Sequence, residues 1–487
     1  MGKNLGNLKP ELLWNHFEEI CSYPRPSRKE EKVAEYVVSV AKKNNLEVER
    51  DEFGNVLVRI PATPGKENLA TAVLQGHLDM VAEKNSDVKH DFDNDPIIPV
   101  VKNEWVKAQG TTLGADNGIG VAAALAVMES KDLEHGPLEF LFTLDEETGL
   151  NGAQSLKPGF LKSTVLLNLD SEEDGVLYIG CAGGKSTNAK FAFEQEDVPS
   201  DMSFYQLRVT GLQGGHSGLN IVEGRGNAIK ISARLLSNLS KKMIVRIASI
   251  DGGSKHNAIP RECFTVLAVP QKDESVFQNY IAEYNNTIKA ELATIEPNLK
   301  VEAVKTDAKP SVIDVETQRK LISILYIMPN GVVTMSADIP GLVETSTNLA
   351  VVKTENGAVE VITSQRSSVE SAKDDIANVV AAGFAFADAE VKQGDGYPGW
   401  KPNISSPILG VLKNTYSKLY GSEPEVKAIH AGLECGIINE RYPDMDMISF
   451  GPTIVGAHSP DEAVKIDTVG KFWDLLVQTL KDIPAVK

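Results

Sequence analysis

The chain has 487 residues, enough for two or three domains at ~150 residues each and for a core that needs no disulfide or metal staple. Its apolar share of 42% and charged share of 24% exclude wholesale disorder and fibrous repeats. The formal net charge of −18 repels phosphate backbones, which argues against nucleic acid and anionic membrane surfaces as partners.

In chain order, the opening segment MGKNLGNLKPELLWNHFEEI is polar throughout and predicts no signal peptide. The longest apolar run, near Val121–Met128, falls far short of the ~20 residues of a membrane span, so the expectation is a soluble, cytoplasmic protein. Apolar residues at helical spacing predict helices over Leu12–Cys21 and Glu30–Asn44. Short apolar runs predict strands at Val56–Ile60 and Ala70–Gln75. A small-residue helix, Gly118–Ser130, opens at a glycine-rich turn, and the strands Leu138–Leu144 and Val165–Leu169 each run directly into carboxylates. Strands alternating with helices predict an α/β fold with a mostly parallel sheet, whose sites lie beyond the carboxyl ends of the strands.

From about Asn188 to Gly396 the pattern changes to strand-like runs between longer helices, such as Asn227–Leu239, Glu274–Ala293, Gln318–Ile327 and Val369–Ala387. This stretch reads as two weakly similar strand–helix–strand copies, in which Asn257-Ala-Ile-Pro and Asn348-Leu-Ala-Val would hold equivalent places. The loop GDGYPGWKPN (394–403) marks a boundary, after which helices Pro407–Leu419 and Asp467–Leu480 read as a return to the first domain. The expected domains are a catalytic part over 1–187, an insert over 188–396 and a second catalytic part over 397–487. Cys21, Cys181, Cys263 and Cys435 are widely spaced with no C-x-x-C pair, which predicts reduced thiols.

Five segments carry chemistry. LQGHLDMV places His77 and Asp79 at a strand end, where a carboxylate can hold the imidazole nitrogen that a metal leaves free. TTLGADNGIG places Asp116 before a helix, a position that capping alone would also explain. FLFTLDEETG puts Asp145, Glu146 and Glu147 in a row after a buried strand, a repulsion that cations or raised pKa values relieve. LLNLDSEED delivers Asp170, and VGAHSPDE carries His458. Together they form a nitrogen-and-oxygen donor set of the kind zinc takes, and four carboxylates balance two divalent cations. No G-x-G-x-x-G is formed by Gly114, Gly118 and Gly120, which removes the dinucleotide-binding reading.

In this order, the motifs H-x-D, G-A-D-N-G, D-E-E-T-G, N-L-D-S and A-H-S-P-D-E resemble the co-catalytic zinc metallopeptidase family of carboxypeptidase G, the aminoacylases, peptidase T and the carnosinase-type dipeptidases. The resemblance runs from near residue 10 to near residue 480, and YPGW, GCAGG, ETSTNL and HAGLECG place it nearest the Xaa-His dipeptidase branch. It implies a parallel-sheet catalytic domain with an inserted α+β lid, a duplicated ferredoxin-like unit. It implies two Zn2+, with Co2+ or Mn2+ as substitutes: His77, Asp116 and Asp170 at one, and Glu147 with His458 at the other, bridged by Asp116. Glu146 matches the general base that works on a metal-bridging hydroxide, and Asp79 the residue that orients His77. His216 in GGHSG, Arg366 in SQRSS, Asn257, Asn348, His430 and Glu434 match substrate contacts. Asp at position 170 favours dipeptides with a free amino terminus, carnosine-like Xaa-His peptides included. Alternatives left open are an aminotripeptidase, an N-acyl amino acid deacylase and a catalytically silent metal-binding homologue. The long insert also admits a homodimer through the lid.

Overall fold

The computed structural model describes residues 4–485. Residues 1–3, which open the segment read for a targeting signal, and residues 486–487 lie outside that range. The chain divides into two compact units, one of Met1–Cys181, Trp400–Ala428 and Leu433–Lys487, the other of Ala182–Gly399 and Ile429–Gly432. The boundaries expected at 188 and 396 therefore shift. Residue 188 falls inside a strand of the second unit, Gly183–Ala192, and the second unit reclaims four residues near 430. Among the described residues no helix is long and apolar enough to cross a membrane.

The first unit is built on an eight-stranded sheet. Its centre is four parallel strands in the order Leu138–Thr143, Ala72–His77, Val165–Asn168, Asp446–Ser449. On one side Val56–Ile60 pairs antiparallel with the centre and Glu47–Arg50 antiparallel with Val56–Ile60; on the other Val176–Cys181 pairs antiparallel with the centre and Glu425–Ile429 forms the edge. The strands Ala72–His77, Leu138–Thr143 and Val165–Asn168 are buried at every residue, which is why they read as unbroken apolar runs rather than alternating ones. The helix Ala115–Glu129 packs on Ala72–His77 and buries nearly its whole length. That closeness depends on glycine: a Cβ on Gly120 would meet the Leu169 carbonyl oxygen at 2.4 Å, and one on Gly76 the Asn117 side chain at 2.3 Å.

The second unit is a nine-stranded antiparallel sheet packed with four helices around one large core, with two small apolar clusters beside it. Strand Met202–Thr210, helix Ala228–Leu239, strands Arg246–Gly252 and Cys263–Pro270, helix Glu274–Glu291 and strand Lys300–Lys305 make one βαββαβ copy, with its strands in spatial order 4-1-3-2. Gly183–Ala192, helix Val315–Ile327, strands Val343–Glu355 and Ala358–Ser367, helix Glu370–Phe386 and strand Glu390–Gln393 make a second in the same order. This is the ferredoxin-like arrangement, twice. The copies are nested: the first is inserted whole after the opening strand of the second, and their second strands meet at Gly252 and Val352. Asn257 and Asn348 do not hold equivalent places in them. Asn257 lies in the connection after Arg246–Gly252, Asn348 lies inside Val343–Glu355, and the Asn348 amide donates to the Ala258 carbonyl at 2.8 Å.

Candidate metal centre and lid cluster

The parallel strands deliver their donors at one end of the sheet. His77 closes Ala72–His77, Glu146 and Glu147 follow Leu138–Thr143, and Asp170 follows Val165–Asn168. Asp116 enters from the start of helix Ala115–Glu129, but not as its cap. The N-cap is Gly114, and the Asp116 backbone is not helical. Freed from capping, its two oxygens face opposite ways. Oδ1 lies 3.0 Å from His77 Nε2, which is also 3.4 Å from Asp170 Oδ1. Oδ2 lies 3.1 Å from His458 Nε2, which is 3.0 Å from Glu147 Oε2. Two groups, His77–Asp116–Asp170 and Asp116–Glu147–His458, thus have donor atoms close enough to hold a metal ion each, and they share Asp116. Glu147 Oε1 is buried with no hydrogen-bond partner, as an oxygen reserved for a cation would be.

The electrostatics match this crowding. Burial pushes Glu146 well above the carboxylate range, with Asp170, Glu147 and Glu434 adding to it against the pull of His77. Asp170 is raised to about 6, by burial first and against the attraction of His77. His458 is carried up to about 11 by its contacts with Asp116 and Glu147. The two imidazoles alone do not compensate the carboxylates gathered here.

A surrounding set of bonds holds the donors. Asp79 is held down to about 2 because its bonds outweigh its burial. It lies 3.4 Å from His77 Nδ1 and accepts the Glu146 and Glu147 N–H groups at 3.0 and 3.1 Å and the Ser27 hydroxyl at 2.7 Å. Asp79 therefore braces the acidic loop as well as the imidazole. Glu462, four residues after His458, accepts the N–H groups of Leu113, Gly114, Ala115 and Asp116 at 2.7–3.2 Å, tying the His458 loop to the Asp116 turn. Arg25, 2% exposed, donates to the carbonyls of Leu78, Asp79 and Gly114. Sequence reasoning missed Arg25 and Glu462. Glu462 stood inside a quoted motif, whereas Arg25 carried no signal.

Glu434 has one oxygen paired and the other, Oε1, buried with no hydrogen-bond partner. It is fully buried in the first unit, where it accepts Gln75 Nε2 at 2.5 Å and the Thr143 hydroxyl at 2.7 Å, in the floor beneath His77. Burial raises it to about 7.

The remaining predicted residues lie in the second unit. His216 Nδ1 accepts the N–H groups of Gly218 and Leu219, both at 3.2 Å, which leaves the ring proton on Nε2. That N–H faces Arg366 Nη2 at 3.4 Å, so two donors converge with no acceptor between them. Arg366 Nε, His430 Nδ1 and the Ser217 hydroxyl are buried without partners. His430 Nε2 pairs with the Ser346 hydroxyl at 2.7 Å, and the Asn257 carbonyl accepts the Ser217 N–H at 2.8 Å. This cluster has the chemistry of an anion site.

The model of peptidase family M20/M25/M40 matches residues 73–482. The chain is 44% identical over 481 residues to the cytosol non-specific dipeptidase of Escherichia coli (strain K12), covering 99% of each. It superposes on the crystal structure of an aminoacylhistidine dipeptidase from Vibrio alginolyticus with a TM-score of 0.92 at 44% identity, covering 100% of this chain and 99% of that one. The fold is also that of the aminopeptidase PepT from Bacillus cereus ATCC 10987, at TM-score 0.58, 16% identity and coverage of 98% and 99%. Matched over most of its length, with its donors arrayed at one end of a parallel sheet, the chain belongs to peptidase family M20/M25/M40.

Proposed function

We propose that this protein is a two-zinc dipeptidase that hydrolyses dipeptides with a free amino terminus, Xaa-His dipeptides included. The observation that carries it is Asp116, whose two oxygens each complete a separate His–carboxylate group. The names of the relatives from Escherichia coli and Vibrio alginolyticus, each 44% identical over nearly the whole chain, support the substrate class and a cytosolic setting. His77, Asp116 and Asp170 would hold one cation, and Asp116, Glu147 and His458 the other. Such a pair, when bound, polarises the scissile carbonyl and acidifies water. Glu146 has an oxygen within 4.8 Å of the donor atoms of His77 and Glu147, near enough to take a proton from the attacking water and return it to the leaving amine. Asp79 holds the Glu146 amide and the His77 ring in register. Arg366 and His216 donate to the substrate's carboxylate or carbonyl oxygen, with Asn257 and His430 beside them. Asn348 braces the Ala258 carbonyl, and Glu434, with its unpartnered oxygen, would serve as a further substrate contact. For the second unit we propose pairing with a copy of itself: the strand Gly331–Met335 bonds Val343–Glu355 on one side and exposes Val332, Val333 and Met335.

The test is metal content by elemental analysis on the sample used for a panel of carnosine-like dipeptides, tripeptides and acetylated amino acids. The expected result is about two equivalents of metal, dipeptide turnover lost to chelator, and activity restored by zinc. Turnover of acetylated substrates alone would overturn the dipeptidase reading, and none at all would favour a silent homologue.

A further inference from the structure

Three residues that the catalytic reading leaves unused, Tyr397 of YPGW, Gly184 of GCAGG and Gly432 of HAGLECG, meet in the second unit. The Tyr397 hydroxyl accepts Arg366 Nη1 at 2.8 Å. Its main chain is bonded to Gly184 both ways, N–H to carbonyl at 2.9 Å and carbonyl to N–H at 3.0 Å. Lys373, 4% exposed, donates to the same Tyr397 carbonyl at 2.8 Å. Lys373 is in turn held by Glu370 at 2.7 Å, and Glu370 also accepts the Gly399 N–H at 2.6 Å. The ring lies over two glycines. A Cβ on Gly184 would sit 2.7 Å from it, and one on Gly432 2.8 Å. Glycine at 184 and 432 is thus the space the ring occupies.

An arginine recognises a carboxylate best when its fork is already aimed, because the rotamers it would lose on binding are then lost beforehand. Here one nitrogen of the Arg366 fork is held by Tyr397, the other faces His216, and the buried Nε has no partner. We propose that Tyr397 is a positioning residue for substrate recognition, its phenol holding Arg366 in the orientation that receives the C-terminal carboxylate of the peptide. This rests on the reading of Arg366 as the carboxylate's partner.

The experiment compares kcat and KM of the metal-loaded full chain on a dipeptide and on the same dipeptide with a C-terminal amide, using Ki as a competitor if the amide is not hydrolysed. Tyr397→Phe keeps the ring and removes only the hydroxyl. The dipeptide KM should rise roughly tenfold, by the loss of a bond to a charged donor, with kcat and the amide's KM held within about twofold. Gly184→Ala, whose methyl displaces the ring, should show the same split and serves if the first variant does not fold. An equal rise on both substrates, as a structural role would produce, or no rise on either, overturns the proposal. Arg366→Ala reports on the underlying reading separately. If it leaves the dipeptide KM unchanged, that reading fails. If it raises that KM while Tyr397→Phe does not, only the role of Tyr397 fails.

Discussion

Glu146 and Asp116 are both half-buried carboxylates within a few ångströms of imidazoles, yet their surroundings divide the work between them. Asp116 is gripped on both oxygens by His77 and His458, and these contacts hold it well below the usual carboxylate range despite its burial. Glu146 lies among Asp170, Glu147 and Glu434, which favour its protonated form. A group held charged is suited to ligation, and one that takes a proton readily is suited to general base work. Glu146→Gln should therefore lower kcat by about 10²–10⁴ while elemental analysis finds the metal content unchanged, since no donor of either group is removed. Undiminished turnover would show that another residue moves the proton. His77, Glu147 and Asp170 were legible in the sequence because each sits at or just past the end of a buried strand, so apolar burial pointed to them; Asp116 and His458 were legible only by the glycine-rich turn and the loop that carry them. Arg25 was not, because it works by donating to main-chain carbonyls, which leave no mark on the residues that carry them.

At the scale of elements, helix Ala115–Glu129 shows how packing distance sets donor geometry. The Asn117 side chain bonds the Leu169 carbonyl at 2.7 Å, one residue before Asp170, and Gly120 lets the helix come that close. Gly120→Ala should cost about 1–3 kcal/mol in urea unfolding, because the methyl meets backbone that must move. It should also weaken metal retention in dialysis, because the backbone that moves carries Asp170. Gly410, in the helix Pro407–Tyr420, is the control: nothing lies within 4 Å of its added Cβ, so Gly410→Ala should gain about 0.5–1 kcal/mol. Equal effects at the two positions would mean the close approach does not matter. Element reading from sequence failed for the same kind of reason. The strand Val343–Glu355 is not among the sequence's apolar runs, because its first half, ETSTNL, is polar. It is a central strand of the second sheet, where Thr347, Thr363, Thr187 and Gln365 are fully buried and satisfy one another's hydrogen bonds. Such a polar interior hides the alternation on which strand prediction depends.

At the scale of the whole molecule, nesting explains why the repeat was seen but its pairing misplaced: the outer copy's opening strand lies more than a hundred residues before its own first helix. The second unit built this way carries an acid sensitivity of its own. His430 is pushed down to about 3 by burial and by the Arg366 and His216 that face it. His216 is pushed down to about 4 by burial, Arg366 and His256. In the unfolded chain both imidazoles titrate near ~6.5. Between that value and their folded ones, the unfolded chain binds protons that the folded chain refuses. Stability is therefore complete above ~6.5 and drains away as the pH falls, by about 2–3 kcal/mol per imidazole at a pH of about 4.5. Melting curves between about pH 7.5 and 4.5 should show a steady fall in midpoint, and His430→Gln, which can still bond Ser346, should flatten it. Slopes that coincide for the two proteins would mean that His430 is protonated in the fold, beside the Arg366 guanidinium that opposes its charge.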